Sequence, residues 1–143
     1  MKKPLLVLCM LLPTLALANP HKEIIEARQG AFQTVEENTD AIGAALRGSD
    51  VDWAALAALS AQLVEQTLLL QTAFPEGSTE DSKARTSIWE SPDKFKEQLT
   101  KLDASMNELN TAVLAQNQSG ASAAIKEGLT TCKACHRSYR ERR

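Results

Sequence analysis

The sequence predicts an all-α fold, an antiparallel up-down-up-down four-helix bundle. Three observations carry this. Apolar residues recur at helical spacing in four successive segments. Ala, Leu, Glu, Lys and Gln dominate, and these are strong helix formers. Aromatics make up only 4% of the chain, and Gly plus Pro only 11 residues, fewer than all-β sandwiches and barrels use. The length of 143 residues suits one domain.

Residues 1–18 read as a leader rather than as part of that domain. Lys2 and Lys3 give a basic start, and Leu5 to Leu17 is apolar apart from Pro13 and Thr14. Ala16-Leu17-Ala18 then has the small-x-small pattern of a signal-peptidase site, which predicts cleavage after Ala18 and export to the periplasm. Cys9 leaves with the leader. Residues 19–143 form the predicted bundle, and losing Lys2 and Lys3 takes the net charge from −2 to −4. With 16 Lys and Arg against 18 Asp and Glu in the whole chain, there is no basic excess of the kind nucleic-acid binding needs. Nothing after Ala18 reads as apolar for long enough to anchor in a bilayer.

The first helix is expected to start at Asn19-Pro20, a capping residue followed by proline. Its stripe is Ile24/Ile25, Ala31/Phe32, Val35, Ile42 and Leu46, with Arg28 and Asn38 as polar members, and Gly48 as its stop. Ser49 or Asp50 should cap the second, whose stripe runs Trp53, Leu56, Leu59/Ser60, Leu63, Thr67, Leu70 and Phe74 before Pro75 ends it. Residues 75–90 lack a period and read as a long loop, although Ile88-Trp89 should pack on something. Ser91-Pro92 opens the third helix, with Phe95, Leu99, Leu102, Met106, Leu109 and Val113 as an a/d seam. Residues 117–120 read as a turn. The fourth helix then places Ala124/Ile125, Gly128/Leu129, Cys132, Cys135/His136 and Tyr139 on one face and ends in Arg140-Glu141-Arg142-Arg143, cations suited to a helix C-terminus.

The chemistry lies in Cys132-Lys133-Ala134-Cys135-His136, the Cys-x-x-Cys-His signature of covalent haem c attachment, one haem per chain. Residues i, i+3 and i+4 share a helix face, so two thiols reach the vinyl groups of one porphyrin and an imidazole lies under its iron. His136 is thereby the axial iron ligand. Competing readings are weaker. A structural zinc site wants four N or S ligands, and the only other histidine, His21, is at the far end of the domain. A dithiol redox pair expects a βαβ setting. An i,i+3 disulfide leaves His136 without a role.

A leader, four helices and one such motif near the C-terminus resemble the cytochrome c′ family. The ending Cys132-Lys-Ala-Cys-His136-Arg-Ser-Tyr-Arg140 is similar to the family's, as are Arg28-Gln29-Gly30-Ala31-Phe32 in the first helix and, in order, Ile88, Trp89 and Phe95. The resemblance spans essentially all of residues 19–143. It implies that Phe32 lies over the distal haem face, where six-coordinate relatives of the c-556 type have Met. Phe cannot ligate iron, so the resemblance implies a five-coordinate, high-spin haem in a crowded apolar pocket. Such a pocket lacks the donor that bound O₂ wants, and favours NO and CO. Arg28 is then a partner for a haem propionate, and Trp89, Tyr139 and Arg140 are expected around the haem edge, Arg140 in the proximal pocket.

Electron transfer is a second capacity of the same site, with a redox partner of unknown identity. Two alternatives stay open: a six-coordinate electron carrier using Met106 as its second ligand, and a haem-free periplasmic interaction bundle. No nucleophile–base pair, phosphate loop or carboxylate pair suggests an enzyme. The family also implies a homodimer through helices one and two, a contact that Ala44, Ala54 and Ala58 would permit.

Overall fold

The computed structural model describes residues 19–142. The leader expected over residues 1–18, Cys9 and the cleavage after Ala18 lie outside them. Five helices follow in order: α1 Lys22–Ala45, α2 Trp53–Leu70, α3 Ser87–Glu90, α4 Pro92–Leu114 and α5 Gln118–Tyr139. Four are the expected bundle helices. The fifth, α3, is one turn inside the stretch read as loop; four residues are too few to show a period.

Helix ends depart from the expected caps. α1 starts two residues later than Asn19-Pro20 suggested, because Asn19 Oδ1 accepts from the His21 N–H at 2.9 Å and forms a local turn instead. Gly48 is not a left-handed stop; α1 ends at Ala45, and Arg47 and Gly48 follow in tight turns bonded to Ala44 O and Ala45 O. Asp52, rather than Ser49 or Asp50, caps α2 by accepting from Ala55 N at 3.0 Å. Asn117 caps α5 by accepting from Gly120 N, so residues 118–120 are helix and not turn. Gln116 makes the reversal, with φ 52°. α5 stops at Tyr139, and Arg140 is already extended, so neither Arg140 nor Arg142 is helical.

The helices form a ring with one open joint. α2 packs along α1, α4 along α2 and α5 along α4, whereas α1 and α5 meet at only a few points. One core cluster fills the closed part, with Ile42, Leu63, Leu109 and Val113 at 0–1% exposure. Truncating such a residue to Ala costs about 2–5 kcal/mol. A second cluster of Ala31, Leu70, Ile88, Phe95 and Leu99 lies nearer the end of α5. Buried polar residues stitch the joints: Asn38 donates to Leu59 O and Gln62 Oε1, Ser60 to Asn110 Oδ1 and Thr67 to Asp103 Oδ1.

α2 corrects the expectation about apolar length, because by length and composition it could cross a membrane. Its inner face, Leu56, Ser60, Leu63, Thr67 and Leu70, packs into the bundle. Its outer face, with Ala54, Ala55, Ala58, Ala61 and Leu68, is exposed.

Candidate functional site

α5 carries the Cys-x-x-Cys-His residues in its last turns, where it faces the open joint. Both cysteines are free and half-buried. Cys132 packs on the first core cluster and Cys135 on the second. Burial pushes the Cys132 thiol up, and pushes Cys135 up to about 11, with the neighbouring Cys132 adding to it. Dithiol redox centres do the opposite and lower a thiol pKa, so this pair is not poised for disulfide exchange. Desolvation lowers the His136 pKa, Arg140 adds to this and Glu36 opposes it. The balance favours a neutral imidazole, the form that binds a metal. Among the described residues no group of three His, Cys, Asp or Glu side chains gathers as a metal cage. His21 lies near Gly77.

Phe32 stands on α1 and packs against both clusters, with its ring edge-on to Phe74 at 6.3 Å. The ladder continues to Phe95 at 4.7 Å and on to Tyr139 at 5.1 Å. Ile88 and Trp89 do pack, as expected of an apolar pair in a polar stretch, and they do so in the second cluster; Trp89 Nε1 donates to Phe74 O at 3.2 Å.

Arg28 is 3% exposed. Nη1 donates to Ala73 O at 3.2 Å and Ser78 Oγ at 2.7 Å; Nη2 donates to Ser78 O and to Ser82 Oγ at 2.9 Å. The guanidinium also lies 4.7 Å from the Phe74 ring centre. It thus fastens the segment after α2 to α1. The two ion pairs among the described residues, Lys22–Glu26 and Glu97–Lys101, do not involve it. Ser78 and Ser82 escaped the sequence reading as its partners, because an aperiodic loop gives no signal of which hydroxyls fold inward; Phe74, expected at the end of the second helix, lies beyond α2, which stops at Leu70.

Arg140 pairs with Ala84 in an isolated antiparallel bridge. With His136, Lys133, Arg137 and Lys83 it lines an open cavity of about 590 Å³. Lys83 and Arg85 were not singled out in the sequence, since only this long-range pairing brings them there.

These features suit a haem. α1 and α5 meet at only a few points, and Phe32 on α1 packs against the same two clusters as Cys132 and Cys135 on α5. Both thiols face inward on one helix, and a buried guanidinium on α1 lacks a carboxylate partner among the described residues.

A family model described as Cytochrome C′ matches residues 23–140. The chain belongs to the cytochrome c′ family. Membership gives the cofactor, covalently attached haem c, and removes the haem-free reading. The chain is also 31% identical over 117 residues to a cytochrome c-556 of Agrobacterium tumefaciens (strain II Chrys), covering 81% of this chain and 95% of that one. Among solved structures, the cytochrome c′ of Rubrivivax gelatinosus superposes with TM-score 0.78 at 26% identity, over 85% of this chain and 97% of that one. A nitric oxide complex of a variant cytochrome c′ from Alcaligenes xylosoxidans matches with TM-score 0.78 at 26% identity, over 86% and 97%.

Proposed function

We propose that this cytochrome c′ family member is a periplasmic haem protein that binds NO and CO at a five-coordinate iron and also exchanges electrons. Haem, when bound, would supply an iron able to take up a diatomic ligand and to change oxidation state by one electron. The residues of this chain do the rest. Cys132 and Cys135 would hold the group through two thioethers, and a His136 ring nitrogen would ligate its iron. Arg28 offers a buried positive charge to a propionate. Trp89 and Tyr139 flank the edge, and Arg140 sets the field on the His136 side. Phe32 carries the reading: it is half-buried at the open joint, presents no atom that can ligate iron and has no proton to donate to a bound ligand. The nitric oxide complexes among the structural neighbours support the choice of ligand. We assign no catalytic turnover to the site. The exposed alanines of α2, with Ala44 of α1, fit a homodimer through these two helices.

The ferrous absorption spectrum with and without NO and CO tests this. High-spin spectra that change on adding either gas support it; low-spin spectra in both oxidation states refute it. Likeness to a cytochrome c-556 favours a second reading, a six-coordinate electron carrier with Met106 as ligand. Met106 is 1% exposed and seated in the core, which weighs against it.

A further inference from the structure

The end of α5 and the segment before α3 are tied in a fixed register. Arg85 N donates to Tyr139 O at 3.0 Å and Glu141 N to Lys83 O at 2.9 Å, on either side of the Ala84–Arg140 bridge. Six cations converge there: Lys83, Lys133, Arg137, Arg140 and Arg142 line a cavity at His136, and Arg85 lines a second with Arg137, Arg140 and Arg142. One carboxylate, Glu141, is among them. The rest of residues 19–143 carries eight Lys and Arg against seventeen Asp and Glu. Both ion pairs among the described residues lie elsewhere. A chain that is acidic overall therefore presents one strongly basic face, at the rim of its site.

We propose that this face is the docking surface for a partner protein bearing an acidic patch, a one-electron carrier. This rests on the haem reading of Cys132, Cys135 and His136. One electron crosses per encounter; the partner is oxidised by one as the iron is reduced by one, and no bond is made or broken. The charge asymmetry selects the class of partner. A long polyanion, such as nucleic acid or an anionic membrane, extends past the basic face and meets the carboxylates around it. A compact acidic patch meets only the basic face, and the asymmetry orients it on approach.

The test uses the haem-loaded protein, its haem content checked by visible spectrum, on a carboxylate-coated gold electrode at pH 7 and low salt. The coating stands for the partner's acidic patch. The protein should adsorb despite its net negative charge and give a reversible one-electron wave. Both should vanish by roughly 0.2 M salt, where screening shortens to less than 10 Å. The triple variant K83E/R85E/R142E should bind at least about tenfold more weakly. K94E/K96E/K126E, with the same charge change elsewhere, should bind as the parent does. Melting curves check that both variants are folded. Equal loss in both variants, or no adsorption by the parent, overturns the proposal. So does saturable displacement by inorganic phosphate at constant ionic strength, which marks a small-anion site. Tighter binding to duplex DNA or phosphatidylglycerol vesicles also overturns it. A missing haem spectrum counts against the haem reading alone, because mass uptake at the electrode still reports on the face.

Discussion

The methyl end of Met106 fills the space above Gly128. A Cβ built on Gly128 would lie 2.5 Å from Met106 Cε. α4 and α5 thus interlock where a flexible side chain meets a missing one, and the thioether serves as core filler. Met106→Leu should leave the spin state and the NO and CO spectra unchanged and cost less than about 1.5 kcal/mol. A switch from low-spin to high-spin in this variant would instead identify Met106 as an iron ligand. Gly128→Leu should cost up to about 3 kcal/mol in denaturant unfolding, because a branched side chain there meets both Met106 Cε and Ser105 Cβ, 2.5 and 3.7 Å from its Cβ position.

Phe32→Ala should open the distal side. The CO association rate is expected to rise at least about tenfold, a barrier change of about 1.4 kcal/mol. Stability should fall by about 2 kcal/mol, below the range for fully buried aromatics because Phe32 is only half-buried. Stopped-flow mixing with CO checks the first, and an unchanged rate removes Phe32 from the distal pocket.

Arg28→Met should loosen the segment after α2. It leaves the Ala73 and Ser78 carbonyls and two serine hydroxyls without their donor. At about 1–3 kcal/mol for each buried group left unpaired, partly recovered by relaxation, a loss of about 3–5 kcal/mol is expected. Limited proteolysis should then cut between residues 73 and 85, where the parent resists.

Thr39 is buried, and its hydroxyl lacks a hydrogen-bond partner. Thr39→Val keeps the shape and removes the unpaired group, so it should add about 1 kcal/mol. Denaturant titration of parent and variant measures the difference; a loss of stability would show that the hydroxyl finds a partner in solution.

The bundle was legible because helical periodicity is a local signal repeated over many residues. The stripe through Phe95, Leu99, Leu102, Met106, Leu109 and Val113 is buried as read. The haem motif was legible for the same reason, since its three residues lie within five positions. Caps were less so, because Asn19, Ser49, Asp50 and Asp52 all have capping side chains and tertiary packing decides which one is used. Arg28 was flagged as a polar residue on a core stripe, but its serine partners are some fifty positions away. The basic face was hidden for a related reason: Lys83 and Arg85 join it only through pairing with the chain's last residues.

The open joint between α1 and α5 has a consequence for how the molecule stays folded. With three packed sides, the polypeptide is a box lacking a wall, and a flat apolar group bonded to α5 would supply it. A ligand held by equilibrium stabilises its host only as far as its concentration exceeds its Kd. A wall joined by covalent bonds is exempt from that dependence, so dilution would leave the box closed.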